Sequence, residues 1–337
     1  MTVRLTEKNV DLAAAPKLNL VSIRNLEYKL GLERGYLRTI AAQVGGHYNP
    51  FVKPDKVLPF QKQFKKKKKR IIDNPDERLK DVQKRIYRRL LRAELLPGYV
   101  FGGVINKKLL DNVNCHLGAQ VLVTIDIASF FPSVTNEYIY WLWNSVLNCS
   151  SEISVLLTRL TSFERHLPQG ASTSTSLANI LICTIDKRIR TECEQMGITY
   201  STWVDDLAFS GKDARKIIPI VITVLRNSGL RVSRAKIKIM GPATRKSLNG
   251  IIIGKKAGVS KHVRSRIRSG IHKLAKGEVS FEEQPGYLKS LIARIRQAET
   301  INAAQIRKLK LNLIKILKET SPPVVQRRYF LKQLGHA

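Results

Sequence analysis

The sequence predicts an α+β fold, a small antiparallel sheet backed by helices and followed by a basic helical C-terminal region. Three observations predict it. Short β-branched runs, Val121-Leu122-Val123-Thr124-Ile125 and Thr199 to Val204, each lead directly into a carboxylate. Apolar residues recur at helical spacing in the stretches that separate such runs. From Val259 onward the chain is basic and helical in character to its end.

Val21 to Leu32 and Tyr36 to Val44 read as helices, before Gly45-Gly46 and Pro50 break the pattern. Phe51 to Pro75 carries the run Lys65-Lys66-Lys67-Lys68-Lys69-Arg70 ahead of Ile71-Ile72-Asp73-Asn74-Pro75. Asp76 to Leu95 is a helix, with Leu79, Val82, Ile86, Leu90 and Leu91 on one side and Arg and Lys on the other. Pro97-Gly98 ends it. Tyr99 to Gly118 reads as irregular, Val121 to Ile127 as a strand, and Asn136 to Leu147 as a helix. Leu167-Pro168-Gln169-Gly170 is a turn, and a helix begins among the capping residues Ser172, Thr173 and Ser174 and continues to Gln195. Thr199 to Val204 and Leu207 to Gly211 form a hairpin with Asp205-Asp206 at its bend. Ala214 to Asn227 is a helix closed by Gly229, and Ile237 to Met240 and Leu248 to Ile253 are short apolar stretches.

Composition narrows the partners. Among 337 residues, 59 Lys and Arg face 26 Asp and Glu, a formal net charge of +33 that exceeds what solubility asks for. Such an excess is the electrostatic footprint of a nucleic-acid binder. No apolar run reaches the ~18–20 residues of a membrane helix, and Met1 to Leu20 lacks the apolar core of a signal peptide. Cys115, Cys149, Cys183 and Cys193 show neither C-x-x-C pairing nor finger-spaced His. They are expected to be reduced thiols of a cytoplasmic protein that makes no membrane contact.

The chemistry-bearing feature is Trp203-Val204-Asp205-Asp206-Leu207-Ala208-Phe209. Adjacent carboxylates between apolar strand residues repel unless a cation offsets them. Alone, the pair could be an ordinary turn, since Asp is a common turn residue, and Asp126 could simply cap the next helix. Together, three carboxylates at sheet ends can hold the pair of Mg²⁺ ions used for in-line phosphoryl or nucleotidyl transfer. Their company favours the second reading. Asp126 is followed by Ile127-Ala128-Ser129-Phe130-Phe131-Pro132-Ser133, then by Leu167 to Gly170, then by the hairpin and by Gly229-Leu230-Arg231-Val232-Ser233-Arg234-Ala235-Lys236.

In that order and spacing, about Phe60 to Gln297 resembles the reverse transcriptase family, and within it the bacterial retron-type enzymes. The resemblance implies a right-hand polymerase. Residues 1–50 would be an N-terminal helical extension, 51–255 the fingers and an antiparallel-sheet palm, and 256–337 a basic helical thumb. It implies RNA-directed DNA polymerase activity with two Mg²⁺ ions, or Mn²⁺ in their place. Asp126 and Asp205 would be the bridging metal ligands, with Asp206 the weaker one. Lys236 would protonate the leaving pyrophosphate or neutralise it. Phe131 would pack under the sugar and select deoxynucleotides. Gln169 would offer its amide, and Gly170 close backbone approach, at the nucleotide site. Arg70 would hold the triphosphate, since its planar fork suits phosphate oxygens. Lys66 and Lys68 would follow the template backbone. Lys261, Arg264, Arg266 and Arg268 would neutralise phosphates from the thumb, a strongly salt-dependent contact.

Three features depart from the retron pattern. Its Asn-Ala-x-x-His element reads Asn112-Val113-Asn114-Cys115-His116, so the expected nucleic-acid contacts Asn112 and His116 match while the Ala does not. Its Val-Thr-Gly reads Leu248-Asn249-Gly250, and its Tyr-Ala-Asp-Asp box reads Trp203-Val204-Asp205-Asp206. Retron resemblance implies a structured noncoding RNA as template and primer, its DNA product, dNTPs, a branched RNA–DNA formed from an RNA 2′-hydroxyl, and antiphage defence with a separate effector protein. A defence-associated reverse transcriptase outside the retrons, protein-primed or weakly templated, stays open. So do a group II intron maturase and an inactive RNA-binding scaffold on the same fold.

Overall fold

The computed structural model describes residues 17–54, 69–92, 96–280, 282–319 and 324–335, with backbone alone at 54, 69–70 and 324–328. Lys66 and Lys68 lie outside the described residues. The chain divides into two compact units, the first built from residues 1–108 and 123–239 and the second from 109–122 and 240–337.

The first unit begins with α1 (Ile23–Leu30) and α2 (Tyr36–Ala42). Ser22 caps α1 by accepting from the Asn25 N–H, and Gly31 closes it in the left-handed region. Buried Glu27 accepts from the backbone N–H groups of Gly35 and Leu37 at 2.9 and 3.3 Å, placing its charge at the start of α2. β1 (Phe51–Pro54) and β2 (Lys69–Ile72) pair antiparallel, with Lys53 opposite Arg70. α3 (Glu77–Leu90) buries Leu79, Val82, Ile86 and Leu90, the stripe its sequence spacing predicts, behind an Asp76 cap. The second unit takes α4 (Leu109–Asn114) out of sequence order.

After β3 (Leu122–Asp126) come α5 (Phe130–Ser133), α6 (Asn136–Trp141), a π-helical turn over Leu142–Val146, and α7 (Ser151–Thr161). The single helix expected from Ser172 to Gln195 is two, α8 (Ser174–Ile185) and α9 (Lys187–Gln195). The break is Asp186. Its buried carboxylate accepts from the Tyr99 and Tyr200 hydroxyls and from Arg190 Nε at 3.1, 3.2 and 2.9 Å. Three donors from separate elements satisfy a carboxylate that burial would otherwise penalise. β4 (Thr199–Trp203) and β5 (Asp206–Ser210) form the hairpin, α10 (Ile217–Asn227) follows, and β6 (Lys238–Met240) completes a four-stranded sheet ordered β4-β5-β3-β6.

In the second unit, β7 (Lys246–Leu248), β8 (Ile251–Ile253) and β9 (Ala257–Val259) make an antiparallel meander. The apolar stretch expected over Leu248 to Ile253 is therefore two strands. Asn249 and Gly250 both take positive φ, 49° and 84°, and turn the chain between them. α11 (Lys261–Ala275), α12 (Gln284–Glu319) and α13 (Val324–Gln333) pack Ile267, Ile271, Leu291, Ile295, Leu313 and Phe330 into one core.

α12 is two helical stretches that meet in a kink at Asn302, where φ is −158° and ψ 95°. Asn302 Oδ1 accepts from the Gln305 N–H at 3.2 Å, capping the second half. Its amide also donates to Ala257 O at 2.8 Å, while Gln305 Oε1 accepts from the Val259 N–H at 2.9 Å. Losing a cap and a buried backbone partner together costs about 1–2 kcal/mol. Asn302→Ala is accordingly expected to lower the unfolding midpoint in a denaturant titration, whereas Asn302→Asp keeps the cap but replaces the bond to Ala257 with a carboxylate oxygen facing that carbonyl.

Candidate active site

The hairpin and β3 set the carboxylates. Trp203 pairs with Asp206 across a two-residue turn made of Val204 and Asp205. The first position of such a turn with positive φ ordinarily belongs to glycine. Here Val204 occupies it at φ 59°, an uncommon place for a β-branched side chain. Asp205 lies at the tip and Asp206 opens β5. The Ile127 N–H donates to Asp205 O at 3.1 Å, and the Ser233 N–H donates to Asp126 O at 2.8 Å. The end of β3 is thus tied on one side to the turn and on the other to the segment leading to Lys236.

Three carboxylates share this corner and feel one another. The Asp206 carboxyl is pushed up from its ordinary 3.8 to about 6 by partial burial, then by the charges of Asp205 and Asp126, while Lys236 and Lys238 pull it back. Lys236 Nζ sits 2.9 and 2.8 Å from the two Asp126 oxygens. The structure therefore places Lys236 on a carboxylate expected to bind metal. Among the described residues no three His, Cys, Asp or Glu side chains form a ready-made metal cage. The donor set still suits Mg²⁺, which takes one or two carboxylates beside water and phosphate oxygens rather than a full protein cage. A divalent cation would offset both the burial that raises the Asp206 carboxyl and the repulsion from Asp205 and Asp126.

Around this corner, Phe130 enters the core and Phe131 stays half-buried on α5, in edge contact with it at 5.9 Å. The turn before α8 is stitched to the strand hairpin. The Gln169 N–H donates to Asp73 Oδ2 at 2.8 Å, the Asp73 N–H donates to Gln169 O at 2.8 Å, and His166 Nε2 stands 3.4 Å from Asp73 Oδ2. Gly170, at φ 135°, leaves no room for a side chain, because a Cβ would lie 2.8 Å from Asp73 O. Asp73 directly follows β2, which carries the backbone of Arg70; the Arg70 side chain is outside the described residues. In the sequence Asp73 carries no mark beyond that of a residue before a Pro turn.

Two expected nucleic-acid contacts lie inside the second unit instead. Asn112 is 1% exposed and His116 0%. Burial pushes the His116 imidazole down to about 4, so it is uncharged at neutral pH. Neither side chain is open to solvent, so neither presents a surface to a phosphate in this structure. On α11, Lys261, Arg264 and Arg268 follow one stripe at spacings of three and four residues, and Arg266 lies on the other flank. Lys261, Arg266 and Arg268 are exposed, whereas Arg264 is half-buried.

Asp206→Asn removes the repelled charge. At about pH 7.5 in chelator, the variant is expected to be more stable than the native chain by about 1 kcal/mol, the pKa displacement being discounted for solvent that reaches the carboxyl. The native carboxyl binds its proton more tightly folded than unfolded. Native stability therefore falls as pH rises from 3.8 to about 6, and the gap between the two proteins closes below that window. Thermal melts across this range measure it.

Comparison with known proteins agrees with the geometry. Residues 53–263 match the profile of the reverse transcriptase (RNA-dependent DNA polymerase) family. The Retron Ec86 reverse transcriptase of Escherichia coli is 28% identical over 243 residues, 71% of this chain and 76% of that protein. The Retron Se72 reverse transcriptase of Salmonella heidelberg is 26% identical over 233 residues, 66% and 59% of the respective chains. The Retron Mx162 reverse transcriptase of Myxococcus xanthus is 28% identical over 268 residues, 68% and 55%. The chain thus spans about three quarters of the first relative and under two thirds of the other two. Members of this family use divalent metal ions, RNA templates and nucleotide substrates, and no helix among the described residues is long and apolar enough to cross a membrane. The chain belongs to the reverse transcriptase family and is an RNA-directed DNA polymerase of the bacterial retron type.

Proposed function

We propose that this enzyme copies part of a cognate structured noncoding RNA into DNA, starting from a 2′-hydroxyl of that RNA, and releases a branched RNA–DNA. The observation that carries the catalytic part is the shared corner of Asp126, Asp205 and Asp206, where partial burial and then the two neighbouring charges raise Asp206. Named relatives that are retron reverse transcriptases support the RNA-primed part. A role in antiphage defence beside a separate effector protein belongs to the same reading, as does the division into fingers and palm over 51–255 and thumb from 256.

Asp126 and Asp205 would hold two Mg²⁺ ions, with Asp206 the weaker ligand and Mn²⁺ an acceptable substitute. When bound, the ions lower the pKa of the attacking hydroxyl and stabilise the pyrophosphate that leaves. The chain's own residues do the rest. Lys236 exchanges Asp126 for the pyrophosphate oxygens and neutralises or protonates them. Phe131 fills the space under the sugar and excludes a 2′-hydroxyl. The Gln169 amide and the bare backbone of Gly170 border the nucleotide. Arg70 offers its fork to the triphosphate, and Lys66 and Lys68 follow the template. The α11 stripe of Lys261, Arg264 and Arg268, with Arg266 beside it, binds phosphates without reading sequence.

Three experiments test this reading. The Asp205→Asn, Asp206→Asn double variant is expected to make no cDNA in cells or in primer extension, a loss of at least roughly 1000-fold when charge stabilisation at the reacting phosphate is removed; synthesis at the native level would exclude the carboxylate assignment. Nucleic acid bound to enzyme purified from its host, sequenced with and without RNase, is expected to contain DNA joined to RNA through a 2′–5′ linkage. Finding only unlinked cDNA would assign the chain to a reverse transcriptase with another primer. Phe131→Ala is expected to raise ribonucleotide incorporation on the order of 10–100-fold, since a lost steric contact is worth about 1–3 kcal/mol; single-nucleotide extension with paired dNTP and rNTP measures it.

A further inference from the structure

The turn that presents Asp205 is held in an unfavourable backbone conformation, and its support comes from a loop with no carboxylate of its own. Val204 at φ 59° stores strain of about 1–3 kcal/mol, which persists only where surrounding contacts over-determine it. Those contacts come from residues 97–107. The Phe101 N–H donates to Thr202 O at 3.0 Å and the Thr202 N–H donates to Tyr99 O at 2.9 Å, so the loop pairs with β4 just before the turn. Gly102 then passes directly under it. A Cβ on Gly102 would stand 2.7 Å from Val204 N, 2.7 Å from Val204 Cγ2 and 2.9 Å from Trp203 C. Two of those atoms are backbone and have no rotamer by which to move away.

The loop is itself pinned from two directions. Lys107 Nζ donates to the carbonyls of Pro97, Gly98 and Val100 at 3.2, 2.8 and 2.7 Å and lies 4.9 Å from the centre of the Phe101 ring. An ammonium has three donors, and its contacts to these three carbonyls close the loop on itself. On the far side, buried Asn179 of α8 donates its amide to Gly102 O at 2.8 Å. Gly102 is thus caught between α8 and the turn, with its carbonyl fixed by one and its bare Cα pressed on the other.

We propose that Gly102, braced by Lys107 and Asn179, is a positioning residue for nucleotide transfer: it sets the height of the Val204–Asp205 turn and so the placement of the Asp205 and Asp206 carboxylates against Asp126. This rests on the carboxylate assignment proposed above. A side chain at 102 lifts the turn without touching any reacting group, and an ångström of misplacement at reacting atoms is worth roughly 100-fold in rate.

The test is steady-state primer extension on purified full-length variants, with each kcat normalised to the folded fraction from a thermal melt, and Mn²⁺ affinity measured by EPR without nucleotide. Gly102→Ala is expected to lose roughly 100-fold in kcat with its dNTP KM within about twofold, and to bind Mn²⁺ more weakly. Gly45→Ala, where a Cβ meets open space, is the control and is expected to behave as the native enzyme. A native normalised kcat for Gly102→Ala overturns the proposal, as does a loss confined to KM. Should Gly102→Ala not fold, Lys107→Met carries the test: it removes the clamp and is expected to lower kcat at unchanged KM, and a native kcat again overturns the proposal. Asp205→Asn in the same series separates the two ideas. If it is active, the carboxylate assignment fails; if it is inactive while Gly102→Ala is native, only the positioning role fails.

Discussion

The repulsion among Asp126, Asp205 and Asp206 is the constraint around which the first unit is arranged. Like charges at the ends of neighbouring strands drift apart or take up protons unless the backbone forbids the first and a cation answers the second. The backbone part is visible in the bonds that tie Ile127 to Asp205 and Ser233 to Asp126, which leave the strand ends no independent freedom. The charge part is partly met by the chain itself, through Lys236 lying on Asp126. A corner so arranged is less stable than a neutral one would be, as sites built for chemistry commonly are.

Much of this corner was legible in the sequence, and the reason is local. β-branched runs leading into carboxylates announce strand ends, and paired Asp residues between apolar neighbours need an explanation wherever they fall. α3 was equally plain, since its buried Leu79, Val82, Ile86 and Leu90 repeat at helical spacing behind an Asp cap. What stayed hidden depends on partners far away in the chain. Asp73 gains its meaning from Gln169, and Gly102 from Val204 and Asn179. Asp186 splits a helix only because Tyr99 and Tyr200 arrive at its carboxylate. Asn112 and His116 are polar residues at a motif's ends, and only the packed structure tells that they face inward.

The nucleotide-site turn and the strand hairpin make one mechanical piece. Asp73 accepts from the Gln169 backbone and donates back to it, and Gly170 allows the two segments to touch. The segment after β2 cannot shift without carrying the turn, so residues that would meet the triphosphate and those that would border the base move together. A single residue, Asp73, 5% exposed, makes that link through its carboxylate and its backbone N–H.

The amides of Asn302 and Gln305 have a bearing on solubility as well as on the break in α12. β9 is the outer strand of its meander, and an outer strand offers unpaired backbone groups to any passing chain. Here the Ala257 carbonyl and the Val259 N–H are already engaged by those two side chains. They imitate the neighbour a further strand would provide, so the sheet ends at β9 and offers no template there for another strand.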